Sequence, residues 1–258
     1  MEAGLNLFSL YKFLGTEDGF ADAVDKIKQA GYSYVQYSGG PFDPEMIKRV
    51  SEKYSMPVYL THVPFARIVD DTENLMRDHD VFGCRYIGLG MMPNDSFYND
   101  DLFMENVGKL EVAAEKMSKN GYKFFYHNHF QELKKVNGTT LLEKILVSAP
   151  HVHFTIDTYW LQYGGVNVVE FLKKFSGRIE CIHLKDYMIA PDRAPEAGGV
   201  LKPCFAPVGD GNIDFKNVVE VCKKCGAEYY FVEQDDACTY DDPIAQVSRS
   251  IKYIKEEL

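Results

Sequence analysis

Two histidines one residue apart, His127 and His129, enclose Asn128 near the close of the run YKFFYHNHFQE (122–132), and a carboxylate follows at Glu132. An aromatic-rich run of this kind packs as a buried strand, and polar groups gathered where it stops sit at its C-terminal end. Three more strand-like runs stop in the same manner: FTID at Asp157, CIH at His183 with Lys185 and Asp186 just beyond, and FVE at Glu233. Glu132, Asp157, His183 and Glu233 together offer three carboxylates and one imidazole. That set suits one divalent ion, Mn2+, Mg2+, Co2+ or Zn2+, rather than a thiolate-selected metal. An octahedral ion held by four protein groups keeps two positions open, where a substrate with oxygens on neighbouring carbons could chelate. The ion then acidifies the hydrogen on the carbon between them by stabilising an enediolate, and the carboxylates, Glu132 and Glu233 among them, have a second use as general bases.

Within YHNHFQE the residues leave the assignment open. Alternation with period two puts His127 and His129 on one side of the strand. Either is then a ligand, with Glu132 reaching back from the loop, or both act on substrate as acid and base. Candidate substrate contacts are His62, which closes PVYLTH, together with Asn128, Lys185 and Asp186. Each site residue also has a structural alternative. Asp157 in TIDTYW could cap the next helix, Glu233 could be an ion-paired strand end, and His183 could be a core imidazole. His79, His151 and His153 read as surface or helix-loop residues.

Elements that would bring these ends together recur along the chain. Strand-like LNLFSL (5–10), YVQY (34–37), PVYLTHV (57–63), YIGLG (86–90), the aromatic run above, VHFTID (152–157), IECIHLKD (179–186) and EYYFVEQD (228–235) are each followed by a helix-like segment. Those segments are 18–32, 44–54, 70–84, 99–121, 137–149, 166–177, 213–226 and 242–258, with residues 187–213 as the one long irregular stretch. Strict alternation specifies a parallel sheet, and eight units close a barrel. The expectation is a single (βα)8 domain over 1–258, whose active site lies at the strand C-termini. No GxGxxG turn follows the first strand and no GxxxxGK[ST] loop occurs, which sets aside an open dinucleotide-binding sheet.

Composition narrows the class further. A chain of 258 residues with formal net charge −10 repels a phosphate backbone, so nucleic acid is not an expected partner. No apolar run reaches the length of a membrane span and no leader peptide is recognisable, so a cytoplasmic protein without a membrane partner is expected. Six scattered cysteines read as free thiols, and the lone Cys222–Cys225 pair as core.

The residues ID at Asp157, HLKD at His183–Asp186, GDGNIDF at Gly209–Phe215 and VE at Glu233 resemble the motifs of the xylose isomerase-like TIM barrel superfamily, the sugar phosphate isomerases/epimerases. The YHNH run resembles one bacterial branch of it. The resemblance implies a divalent metal held by Glu, Asp, His and Glu from strands five to eight. Asp157, His183 and Glu233 match that pattern, whereas His127 stands at the strand-five position and Glu132 lies five residues on. The implied activity is a metal-dependent sugar or sugar phosphate isomerase/epimerase. His127 and His129 would move protons or hold hydroxyls, and Lys185 would stabilise charge on substrate oxygens. The alternative is a lyase/hydratase that acts on 3-keto-glycosides by β-elimination from the same enolate. A non-catalytic sugar-binding or structural subunit is the third reading. A small-molecule sugar is the expected ligand, the segment 187–213 with Arg193, Lys202 and Cys204 is expected to cover the mouth, and a homo-oligomer stays open.

Overall fold

The computed structural model describes residues 1–191 and 195–258; Arg193 lies outside the described residues. Eight parallel strands form the frame: β1 (Gly4–Asn6), β2 (Tyr34–Tyr37), β3 (Val58–Val63), β4 (Tyr86–Leu89), β5 (Lys123–His127), β6 (Val152–Asp157), β7 (Cys181–Leu184) and β8 (Tyr229–Val232). They close into a barrel in sequence order, β1 pairing with both β2 and β8. The helices are α1 (Glu17–Ala30), α2 (Pro44–Tyr54), α3 (Phe65–Asp70), α4 (Thr72–Val81), α5 (Asp100–Lys119), α6 (Leu141–Ser148), α7 (Thr158–Tyr163), α8 (Val168–Lys173), α9 (Phe215–Cys225) and α10 (Pro243–Glu257). The (βα)8 expectation is met.

Local sequence explains why these elements begin where they do. Asp43 caps α2 by accepting from the N–H groups of Glu45 and Met46, with Pro44 in the first turn, and Thr140 and Glu143 form a reciprocal capping box on α6. Along α5, Phe103, Val107, Leu110, Ala114 and Met117 recur at helical spacing and are buried against the barrel. Burial of each large side chain of this kind stabilises the fold by about 1.5–3 kcal/mol. Cys222 and Cys225 are buried on the inner face of α9 as free thiols.

The barrel interior is divided into two layers. Its N-terminal half is filled by Tyr34, Leu60, Phe125, Cys181 and Phe231, with Tyr86 and Tyr229 packed against them. Five aromatic residues thus form a plug at the barrel floor. Above the plug, the inward residues turn polar: Asn6, Gln36, His127, Asp157 and His183 are all buried.

Four local departures from the sequence reading have physical causes. The expected strand 5–10 ends at Asn6, whose side-chain oxygen accepts from Phe8 N–H and turns the chain into a 3-10 helix, Leu7–Phe13. The expected helix 70–84 starts only at Thr72, as α4, because Asp71 with φ of −138° is not helical, and a separate α3 precedes it at Phe65–Asp70. Residues 187–213 are not irregular throughout, because Asp186–Pro191 and Leu201–Ala206 pair as an antiparallel ribbon. His79 is no surface residue: it is buried between the Thr61 hydroxyl and the Leu75 carbonyl, and burial pushes its imidazole down to about 4.

Candidate active site

His127 ends β5, Asp157 ends β6, His183 lies next to last on β7, and Glu233 follows β8. Parallel pairing sets Asp157 directly opposite His183, so the strand ends share one level of the barrel. One ligand atom from each of these four side chains lies within 4.8 Å of the others. Nδ1 of His183 is 2.8 Å from Oε2 of Glu233 and 3.8 Å from Oδ2 of Asp157, and Nε2 of His127 is 3.4 Å from the same Asp157 oxygen. All four residues are buried.

The remaining atoms of these groups are tied down from behind. Oδ1 of Asp157 accepts from the N–H of Trp160, so Asp157 caps α7 while its other oxygen faces the cluster. Oε1 of Glu233 accepts from Asn6 Nδ2 at 2.7 Å, and Nε2 of His183 is 2.7 Å from Gln36 Oε1. The cluster thus presents two carboxylate oxygens and two ring nitrogens to one small volume, and Nδ1 of His183 is buried there without a hydrogen bond. Such a donor set calls for a positive charge at its centre. Burial pushes the His183 imidazole down, but Glu233 and Asp157 outweigh burial and raise it to about 9. These residues fit a divalent ion.

A second cation stands beside the cluster. Lys185 is buried; its Nζ lies 3.6 Å from Asp157 Oδ2, 3.5 Å from Glu233 Oε2 and 2.7 Å from Asp235 Oδ1. The ammonium also sits over the rings of Trp160 and Phe205, at 4.9 and 5.0 Å. Burial alone would discharge Lys185, yet Glu233, Asp157 and Asp235 outweigh it and hold the ammonium charged. Burial raises Asp235 to about 6 against the pull of Lys185.

In front of these groups opens a cleft of about 490 Å³. His62 and His129 face it from either side of His127, with ring centroids 5.1 and 4.7 Å from that ring. Nε2 of His62 and Nδ1 of His129 are buried without a partner. Burial, reinforced by the neighbouring His127 ring, holds His62 well below the usual imidazole range and His129 down at about 3, so both stay neutral. Gly88 and Gly90 make room for His62, since a Cβ on Gly88 would meet its ring at 2.8 Å. Phe8 and Met91 form an apolar rim.

Several expected roles change in the structure. Glu132 lies outside the four-residue group: its Oε1 accepts from the Tyr126 hydroxyl at 2.8 Å and its Oε2 from the His129 N–H at 2.9 Å. It is wholly buried, and its position in a 3-10 turn points the carboxylate back at β5, away from the four-residue group. His127 takes the place in the cluster given to Glu132. Asn128, expected to touch substrate, instead accepts the N–H of Asp157 at 2.9 Å. Asp186, also expected at the substrate, accepts from the N–H groups of Tyr187, Gly209, Gly211 and Ile213 and so anchors the loop that carries GDGNIDF. Sequence reasoning passed over Asn6, Gln36 and Asp235. Polar residues at the ends of apolar strands β1, β2 and β8 were the available signal.

The family model described as "Xylose isomerase-like TIM barrel" matches residues 24–257. Among curated proteins, the chain is similar to an inosose dehydratase of Clostridium perfringens, 27% identical over 95% of this chain and 92% of the relative. Among solved structures, it is similar to a sugar phosphate isomerase/epimerase from Parabacteroides distasonis, with TM-score 0.80 and 20% identity over 99% of this chain and 94% of that one. It is also similar to a probable 3-DHS dehydratase from Bacillus anthracis, with TM-score 0.72 and 13% identity over 100% of both chains. Among the described residues, no helix is long and apolar enough to cross a membrane.

Proposed function

The chain belongs to the xylose isomerase-like TIM barrel family, and on that premise we propose that it is a divalent-metal-dependent lyase that removes water from a cyclic keto-sugar or keto-cyclitol. The observation that carries this reading is the match, over nearly the whole chain, to curated relatives named inosose dehydratase. The strand-five position differs from a carboxylate set. Glu132, the carboxylate nearest the end of β5, is tied to Tyr126 and to the His129 backbone, while His127 occupies the cluster instead.

His127, Asp157, His183 and Glu233 would hold the ion, which when bound supplies a Lewis acid for a carbonyl oxygen. Lys185, aimed by Asp235, donates to the oxygen on which charge grows, in a buried setting where that interaction is strong. Proton transfer falls to the groups facing the cleft: Asp235, and the unpartnered imidazoles of His62 and His129. One takes the proton from the carbon next to the carbonyl and another gives a proton to the departing hydroxyl. The C–H and C–O bonds break, a C=C bond forms, and water leaves.

An isomerase/epimerase is the second reading, supported by the Parabacteroides neighbour's description and by the same acidified C–H bond. Incubation of the ion-loaded protein with an inosose separates the two. Loss of one water per turnover supports the lyase; an epimer formed with all hydroxyls kept overturns it.

A further inference from the structure

We propose that the half of the cleft built on β1–β4 is a subsite for an uncharged apolar or aromatic group carried by the substrate ring. The substrate is then a substituted keto-sugar or keto-cyclitol rather than a bare or phosphorylated one. This rests on the dehydration reading above and deepens it by naming the substrate class.

The two halves of the barrel line the cleft with opposite chemistry. The ends of β5, β7 and β8 and the loops after them supply His127, His129, Lys185, Glu233 and Asp235. The ends of β1–β4 and the loops after them supply Phe8, Gly39, Gly40, Val63, Pro64 and Met91. Polar side chains on that half are His62 and Ser38, and the Ser38 hydroxyl is committed to Asn6 Oδ1. A sugar or cyclitol ring carries a hydroxyl on most of its carbons, and each one buried without a partner costs free energy. Such a ring belongs on the β5–β8 side, and what faces Phe8 and Met91 is a group without hydroxyls. Among the described residues, Lys185 is the only Lys or Arg that lines the cleft, and Asp157, Glu233 and Asp235 already surround it. No free side-chain cation is left there for a substrate phosphate.

Phe8 is fixed in place as one wall of this subsite. Its N–H donates to Asn6 Oδ1 at 3.2 Å, and Asn6 Nδ2 donates to Glu233 Oε1 at 2.7 Å, so a single side chain sets the wall relative to the reacting end. The Phe8 ring stacks on Tyr11 at 5.8 Å and lies against Gly39, where a Cβ would meet it at 3.0 Å. Gly39 also has φ of +88°, which favours glycine. Backed in this way, Phe8 lines the cleft and is still 39% exposed. Met91, three strands round the barrel and 43% exposed, adds a flexible thioether that moulds to what it meets. A group seated between them takes their apolar surface out of water, which is a source of affinity. The cleft volume of about 490 Å³ leaves room for such a group beside the reacting ring.

The test uses the Co2+-loaded protein and compares an inosose with its mono-O-benzyl ethers, substituted away from the carbonyl and the departing hydroxyl, and with the matching monophosphates. At least one benzyl ether should lose water with kcat/KM about tenfold or more above the bare inosose, and every monophosphate should fall below it. In Phe8→Ser and in Met91→Ser, the ratio of kcat/KM for that ether to kcat/KM for the bare inosose should drop by about fivefold or more. No ether preferred over the bare inosose, a monophosphate preferred over both, or a ratio that neither variant lowers would overturn the inference while leaving the dehydration intact. Calorimetric titration decides the case in which nothing turns over. An ether that binds about tenfold tighter than the bare inosose then supports the subsite and overturns only the dehydration, whereas equal binding overturns both. Should one variant not fold, the other variant and the native preferences decide.

Discussion

Nδ1 of His183 lies 2.8 Å from Oε2 of Glu233, while Nε2 of the same ring lies 2.7 Å from the amide oxygen of Gln36 on the other side. Two carboxylates that face one small buried volume are a stable arrangement only with positive charge between or beside them. Lys185 supplies one positive charge at the edge of the group, and a divalent ion would supply the rest.

Removal of single ligands should therefore empty the centre without unfolding the barrel. Asp157→Asn keeps an oxygen to cap α7 through Trp160 but loses the charge that faces the cluster. Both Asp157→Asn and His183→Ala are expected to lower bound metal to background and turnover by at least about a thousandfold, with far-ultraviolet circular dichroism unchanged. Full activity in either variant would refute the site as described.

Lys185 should matter to both stability and catalysis. Lys185→Met removes the ammonium but leaves Asp157, Glu233 and Asp235 buried together. Denaturant unfolding of the metal-free variant is expected to show a loss of about 3 kcal/mol. The ion-loaded variant should keep its metal and lose turnover on the order of a thousandfold, seen as a fall in kcat rather than a rise in KM.

Asp186 should behave as a structural residue. Four backbone N–H groups converge on its carboxylate, and their loss in Asp186→Ala should cost about 2–3 kcal/mol by thermal or denaturant unfolding. Metal content should be unchanged. A variant of native stability with lost substrate affinity would instead restore Asp186 to the substrate.

Much of this arrangement was legible beforehand, for a physical reason. The repeat of apolar strand and amphipathic helix is written at every unit, and closure of the barrel follows from the count, so Asp157, His183 and Glu233 converge without any knowledge of their contacts. Glu132 was misplaced because five residues of loop after His127 can send a carboxylate to the metal or back onto Tyr126, and only the 3-10 turn decides. Gln36 and Asn6 were missed because a polar residue inside YVQY or LNLF looks like an interruption of a strand. Their purpose shows only when the barrel sets them behind His183 and Glu233. Asp235 lies two residues beyond Glu233, and its role depends on Lys185 arriving from β7.

At the floor of the barrel, pH dependence should trace to Glu180. Burial raises this carboxyl, but hydrogen bonds from His153 and Lys123 outweigh burial and bring it to about 2. A carboxyl lowered in the folded state stabilises the fold above its unfolded value, and that contribution is lost as pH falls through the folded value. Glu180→Gln is thus expected to cost about 2 kcal/mol at neutral pH. The difference from the native protein should shrink as pH falls from about 5 toward 2. A gap that does not change with pH would contradict the assignment.

The most direct test of the proposed activity is an ion-dependence experiment in D2O. The protein is stripped with chelator, reloaded with Co2+, and incubated with an inosose while proton NMR follows the substrate. The account predicts loss of water across the bond next to the carbonyl, with turnover that requires the ion and disappears when chelator is added again. Substrate that remains unchanged with Co2+ bound, neither exchanging its hydrogen nor losing water, would contradict it.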